Sequence, residues 1–163
     1  MIRIGIGYDV HRFEAGRRLV LGGIEIPFSD DGIGTGLLGH SDADVAVHAV
    51  MDALLGAAAL GDIGTHFPPS DPTYKDSDSC KLLGVVVDLL CQHNWVVGNI
   101  DTVIIAEKPR LCGFIPAMRE KIAGVCGIDV SCVSVKATTE EGLGLNGQGI
   151  GAKAVCTIFY KES

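Results

Sequence analysis

Leu19-Val20-Leu21-Gly22-Gly23-Ile24-Glu25-Ile26 is the stretch that separates two fold classes. Two short apolar runs flank a Gly-Gly pair, the chemistry of a tight hairpin. A hairpin here breaks the strict strand–helix alternation of a doubly wound parallel sheet. Outward from it, Ile2 to Val10 reads as a strand and Ser29 to Gly39 as a glycine-rich loop. Ser41 or Asp42 then caps a helix running to about Ala59. Pro68, Pro69 and Pro72 make Thr65 to Tyr74 a loop, after which Ser77 or Asp78 opens a second helix ending near His93-Asn94. Val96 to Glu107, rich in Val and Ile, is a strand. Pro116 to Val125 is a third helix with Pro in its first turn. Val133 to Ala137 is a strand, Thr138 to Gly151 a loop, and Ala154 to Lys161 the last strand. The expected class is α+β: two layers, with helices on one face of a mixed β-sheet. No repeat or linker divides the chain, so residues 1–163 are expected to form one domain.

Composition narrows the function. Hydrophobic residues make up 47% of the chain, which is the composition of a globular protein. The formal net charge is −7, which argues against a dedicated nucleic-acid binder with its basic face. It leaves room for a phosphorylated substrate, because a bound metal supplies local positive charge. No apolar run is long enough to span a membrane. Met1 leads directly into strand-like sequence, without a signal or transit segment, so the expected location is the cytoplasm. The six cysteines, Cys80, Cys91, Cys112, Cys126, Cys132 and Cys156, show no CxxC spacing and are expected to be reduced and mostly buried.

The chemistry-bearing residues form three clusters. Asp9 and His11 are two apart in a strand and leave the same face. Asp44, His48 and Asp52 recur every four residues on one helical face, with Ala46, Ala49, Val50, Ala53 and Leu54 as the apolar side. If the two segments meet, Asp9, His11 and His48 offer one carboxylate and two imidazoles. That set suits zinc with a fourth position open, and Asp44 or Asp52 would orient His48. Separately, His11 also reads as a surface residue and His48 as a polar residue at a helix boundary. His40, with the N–H groups of Ser41 and Asp42 near a helix start, suits an anionic oxygen, though Ser41 serves equally as a simple cap. In the third cluster, Thr138 and Thr139 suit phosphate oxygens and Glu140 or Glu141 suits magnesium; a solvated strand end has the same composition. Asp62 before Ile63-Gly64 suits ribose hydroxyls or a turn cap. His66 and His93 read as loop and helix-end residues. Gly34 to Gly39 and Gly142 to Gly147 both spell GxGxxG, but neither has the strand–turn–helix context of a dinucleotide site.

Taken together and in order, several segments resemble the cyclodiphosphate synthase family of the non-mevalonate isoprenoid pathway. They are Gly7-Tyr8-Asp9-Val10-His11-Arg12, Gly39-His40-Ser41-Asp42-Ala43-Asp44-Val45 with His48, and Asp52-Ala53-Leu54-Leu55-Gly56-Ala57 through Gly61-Asp62-Ile63-Gly64. Phe67-Pro68, Asp71-Pro72, Gly98-Asn99-Ile100-Asp101 and Lys136-Ala137-Thr138-Thr139 complete the match.

The resemblance implies a homotrimer with active sites between subunits and zinc on Asp9, His11 and His48. It implies a cytidine-diphosphate-linked methylerythritol substrate whose own phosphate attacks the β-phosphorus and releases CMP. By the same resemblance, His40 and Thr139 stabilise the transition state, while Ser41, Thr138, Phe67 and Asp71 contact substrate. Glu141 ligates magnesium or manganese, Asp62, Ile63 and Gly64 hold the ribose, and Ala106, Arg110, Leu111 and Cys112 read cytosine. The chain departs from the family pattern at Pro69, where many members are acidic. It also departs at Glu140-Glu141-Gly142, in a short Leu145 to Gln148 segment and in a longer Ser29 to Leu38 loop.

Two other readings use the same residues. A zinc hydrolase of phosphate esters or nucleotides, with zinc-bound water as nucleophile, would need a general base near the open position, for which Asp44 or Asp52 are candidates. A non-catalytic, metal-stabilised trimer would bind a diphosphate and turn nothing over.

Overall fold

The computed structural model describes residues 1–30 and 32–162. Its main sheet has six strands: β1 (Ile2–Ala15), β4 (Ser29–Asp30), β5 (Ile33–Leu37), β6 (Trp95–Ile105), β7 (Val133–Thr138) and β8 (Gly149–Tyr160). They lie in the order β4-β5-β1-β8-β6-β7. Only β6 and β7 are parallel, joined through helix α4 (Ile115–Cys126); every other pairing is antiparallel. The fold is therefore α+β with a mixed sheet, as the hairpin signal required.

That hairpin forms as β2 (Leu19–Leu21) and β3 (Ile24–Ile26), with Leu19 facing Ile26 and Leu21 facing Ile24. Gly22 and Gly23 take φ of 59° and 74° at its turn, the left-handed conformations such a loop needs. Several boundaries differ from the sequence reading. β1 runs on to Ala15, and β8 begins five residues earlier than expected, because the two pair along nearly their whole length, from Ile2–Phe159 to Arg12–Gly149. The Ser29 to Gly39 segment folds into the β4–β5 hairpin and docks on β1 instead of remaining a loop; Asp31 lies outside the described residues. The Thr65 to Tyr74 loop contains a 3-10 turn, Pro72–Tyr74, and follows a one-turn helix, α2 (Ile63–His66).

Helix α1 (Val45–Ala58) is capped by Asp44, not by Ser41 or Asp42. Asp44 wins the cap because its carboxylate lies beneath the hairpin turn as well. It accepts N–H bonds from Gly22 and Gly23 (2.9 and 2.6 Å) and from Ala46 and Val47 (3.1 Å each). One buried carboxylate thus ties two elements together. Nor is α1 apolar on one side only. Of its residues, all but Asp52 and Gly56 are buried, because β1 and β8 cover one face and α3 (Ser79–Gln92) another. The helices lie on one face of the sheet. That face of β1 carries Gly5 and Gly7, and a Cβ at either position would fall inside the backbone carbonyl of Ala53 or Ala49. The opposite face of β1 is exposed.

All six cysteines are free thiols. Cys80, Cys126 and Cys156 are buried, but Cys91 and Cys112 are exposed and Cys132 intermediate, so burial is less general than expected. Cys91 projects from an outer face of α3, and Cys112 lies in a surface loop after β6. Burial pushes the Cys80 and Cys126 thiols up to about 12. Among the described residues no helix is long and apolar enough to cross a membrane.

Replacing Gly7 by Val is expected to force α1 away from β1. Overpacking of this kind costs about 1–3 kcal/mol. Urea unfolding of Gly7→Val against the parent chain measures it, and Gly34→Val on β5, whose added Cβ meets nothing within 4 Å, gauges the ordinary cost of replacing a strand glycine.

Candidate metal centre and nucleotide-binding surfaces

The alternation that turns Gly5 and Gly7 toward α1 also turns Asp9 and His11 toward it. Helix α1 lies close enough for His48 to complete the group. His48 Nδ1 is 2.8 Å from Asp9 Oδ2, and His11 Nε2 is 3.3 Å from the same oxygen. The other carboxylate oxygen of Asp9 accepts the Val10 N–H at 2.9 Å, which fixes the carboxyl plane. One donor atom from each of the three residues lies within 4.8 Å of the others, and no second such group occurs among the described residues. Two imidazole nitrogens and a carboxylate oxygen at this spacing fit a divalent cation.

Burial alone would raise the Asp9 pKa, but the hydrogen bonds and charges of His11 and His48 outweigh it and hold Asp9 well below the ordinary carboxylate range. Burial likewise opposes protonation of His48, yet the Asp9 bond and charge prevail and raise its pKa. Beyond the ring, His48 Nε2 lies 2.9 Å from Ser79 Oγ and 3.2 Å from Ser41 Oγ. Ser79 is fully buried and has no sequence signature; it was recognisable only as a position next to the α3 cap, Asp78.

The two acids expected to orient His48 do something else. Asp44 is spent on the helix cap and the hairpin, and its burial pushes its pKa up to about 6 despite the N–H donors. Asp52 accepts the Ile63 N–H at 2.8 Å and so pins α2 to α1; its own partial burial raises its pKa. Neither lines the cavity at the triad, so neither is placed to serve as the general base of a zinc hydrolase.

A cavity of about 250 Å³ opens from the triad. It is lined by Asp9, His11, His40, Ser41, His48, Ile63, Gly64 and Phe67, all singled out in the sequence. Met51, Pro69, Tyr74 and Leu82 add an apolar wall that no motif announced. His40 Nε2 donates to the Asp71 carbonyl at 3.3 Å. The Asp42 N–H is already bonded to the Ser77 carbonyl, so it is not free for an anion, contrary to the sequence expectation. Asp62 caps α2 by accepting the Thr65 N–H and hydroxyl on one oxygen, which lowers its pKa. Asp71 caps the following 3-10 turn in the same way through Thr73. His66 donates to the Leu60 carbonyl and His93 to that of Leu89, the structural roles expected of them.

The remaining predicted residues lie elsewhere. Ala106, Arg110, Leu111, Cys112, Thr138 and Thr139 line a separate cavity of about 350 Å³ that shares no residue with the first. Beside it, Thr139 Oγ1 donates to Glu141 at 2.6 Å. Val10, Gly151, Ile105 and Thr138 form one row across β1, β8, β6 and β7. Three strand spacings thus separate the row's ends, about 14 Å. Thr138 shares the open face with Val10, while His11 points to the helical face. A single chain therefore does not bring Thr139 and Glu141 to the triad.

Comparison with known proteins fits this geometry. The YgbB family model matches residues 2–161. The chain belongs to the YgbB family. The Clostridium perfringens 2-C-methyl-D-erythritol 2,4-cyclodiphosphate synthase is 54% identical over 159 residues, covering 96% of this chain and 99% of that protein. A solved cyclodiphosphate synthase structure in its CDP-bound form superposes with a TM-score of 0.87 at 33% identity, covering 96% of this chain and 100% of the other. The bifunctional IspDF from Campylobacter jejuni superposes at 0.91 with 37% identity, over 99% of this chain and 43% of that one.

The Asp9–His48 pair predicts a pH signature. Asp9, with its lowered pKa, stabilises the fold above its ordinary value of 3.8. His48, with its raised pKa, stabilises it fully below 6.5 and loses that contribution as pH rises through the folded value. Thermal melts of metal-free protein should therefore fall as pH rises from 6.5, and His48→Ala should flatten that decline. Affinity for a divalent metal should move the opposite way, rising with pH as His48 gives up its proton.

Proposed function

We propose that this chain cyclises 4-diphosphocytidyl-2-C-methyl-D-erythritol 2-phosphate to 2-C-methyl-D-erythritol 2,4-cyclodiphosphate with release of CMP, a phosphorus–oxygen lyase of isoprenoid precursor synthesis. The observation that carries it is the donor triad of Asp9, His11 and His48, which lines one cavity with His40, Ser41 and the Ile63–Gly64 edge. In this reaction the nucleophile is the substrate's own 2-phosphate. The protein has only to fold the substrate so that this phosphate lies in line with the β-phosphorus, and to neutralise charge.

The donor set suits zinc, and Glu141 suits magnesium or manganese. When bound, these ions supply positive charge to the diphosphate oxygens and the departing CMP. The chain's own groups do the positioning. His40 and Thr139 donate to the phosphoryl oxygens as charge moves, and Ser41 holds the phosphate end. Asp62, Ile63 and Gly64 take the ribose, Phe67 and Asp71 border it, and Ala106, Arg110, Leu111 and Cys112 read cytosine, mainly through backbone groups. Thr138 supports Thr139 from the end of β7. A hydrolase is disfavoured because Asp44 and Asp52 are committed elsewhere. A mere binder is disfavoured by the full-length match to cyclodiphosphate synthases.

The two half-sites are completed between copies, in a homotrimer of single-domain chains. On the open face of the sheet, Ile4 and Ile6 are 70% and 71% exposed, and Ile2, Tyr8, Val10, Val155 and Phe159 extend the patch. An apolar strip along a central strand marks a surface that is buried by association. Joining these faces supports a site in which Thr139 and Glu141 of one copy reach the triad of the next.

Phosphorus NMR with substrate, zinc and magnesium should show the cyclic diphosphate appearing with CMP, and both should be absent for His48→Ala. Inorganic phosphate without a cyclic product would overturn the proposal. Sedimentation should give three chains per particle. Ile4→Asp with Ile6→Asp should yield monomers that still bind one zinc but form no product; active monomers would refute the shared site.

A further inference from the structure

Ser79 is the first residue of α3, and neither the family motifs nor the proposed reaction assigns it a task. Its side chain is fully buried and touches two groups of unequal chemistry. Ser79 Oγ makes a short hydrogen bond with Asp42 Oδ1, and its backbone N–H donates to Asp42 Oδ2 at 3.0 Å. On the other side it is 2.9 Å from His48 Nε2. Asp42 is thereby held at two points, and its own N–H is bonded to the Ser77 carbonyl.

We propose that Ser79 is a positioning residue for the metal centre: held by Asp42, its hydroxyl oxygen anchors His48 Nε2–H and so aims Nδ1 at the cation position beside Asp9. The proposal rests on the reading of Asp9, His11 and His48 as zinc ligands. It follows from counting protons. A serine hydroxyl has one proton to give, and an ionised carboxylate only accepts. The Ser79 proton therefore goes to Asp42, and its oxygen is left as an acceptor toward His48. Nε2 must then be the N–H of the ring. With Nε2–H anchored, Nδ1, which donates to Asp9 Oδ2 at 2.8 Å in the metal-free protein, is the nitrogen that would give up its proton to take a cation. Ser41 Oγ, at 3.2 Å from Nε2, does not force this outcome. It accepts the Ala43 N–H, and nothing fixes where its own proton points. Ligating histidines generally have their second nitrogen anchored, and loss of the anchor costs about 10–100-fold in metal affinity. Here the anchor is a buried hydroxyl that passes the carboxylate's demand for a proton on to the ring.

The test is zinc affinity by chelator competition on the full chain, read beside the melting temperature of the metal-free form. Ser79→Ala should weaken zinc about 10–100-fold, and Ser79→Thr, which restores a hydroxyl, should recover most of that loss. Nitrogen NMR of the His48 ring in zinc-loaded protein should show Nδ1 on the metal and a protonated Nε2 in the parent, and a mixture of Nδ1 and Nε2 ligation in Ser79→Ala. Asp42→Asn keeps the hydroxyl but removes the acceptor-only partner; it too should weaken zinc, and it serves if Ser79→Ala does not fold. A Ser79→Ala protein that melts lower but keeps parental zinc affinity and the Nε2–H tautomer has lost only a helix-start contact, and overturns the proposal. His48→Ala is the reference. If it also binds zinc as the parent does, the zinc reading itself fails; if it alone loses zinc, only the role of Ser79 fails.

Discussion

The contact between helix α1 and strand β1 governs the arrangement of the molecule. Two glycines on β1, Gly5 and Gly7, face Ala53 and Ala49 on the helix, and backbone meets backbone with no Cβ between. Small residues on both sides give up side-chain burial at the contact and gain close approach. That approach brings His48, beside Ala49, within 2.8 Å of Asp9, two residues beyond Gly7. A helix standing off the strand by the thickness of a valine would still cover the core. It would not bring an imidazole and a carboxylate to one cation.

The acids show how burial sorts chemically identical groups. Asp9 is held ionised by two imidazoles. Asp44, fully buried, serves four backbone N–H groups and joins the β2–β3 hairpin to the start of α1. Asp52 fixes α2, and so the Ile63–Gly64 edge of the cavity. Asp42 holds Ser79. In a chain of net charge −7, an anionic substrate needs its positive charge from somewhere local, and the donor triad is where this fold can hold it.

The loop from Thr139 to Gln148 departs most from the family pattern, yet it is internally braced. Glu107 accepts the N–H groups of Glu140 and Gly142 (2.8 and 3.3 Å), and Glu140 accepts that of Leu145 at 2.6 Å. Glu107 and Glu140 thus close the loop, while Thr139 and Glu141 pair at the surface. The residues after Ile26 form the β4–β5 hairpin at the sheet edge, where Asp30 binds Lys108 beside the second cavity.

The sequence by itself determined the three long helices, the long strands, the hairpin at Gly22-Gly23 and the three metal-type residues, because each depends on short-range periodicity or on a residue's own backbone preference; the β4–β5 hairpin and α2 it read as loop. Asp9 and His11 share a face by alternation, and a Gly-Gly pair between apolar runs turns a chain wherever it occurs. The full-length motif order also named the family. Tertiary structure alone decided what is long-range. Asp44 took the helix cap because a hairpin over twenty residues upstream presents two N–H groups to it. Asp52 became a brace because Ile63 lies beside it, and Ser79 met His48 because α3 begins at the end of α1. The strand ends at Ala15 and Gly149 were set by pairing between distant segments, which leaves no local mark. The separation of Thr139 and Glu141 from the triad, across three strand spacings of the sheet, depends on strand order, and no spacing along the chain encodes that.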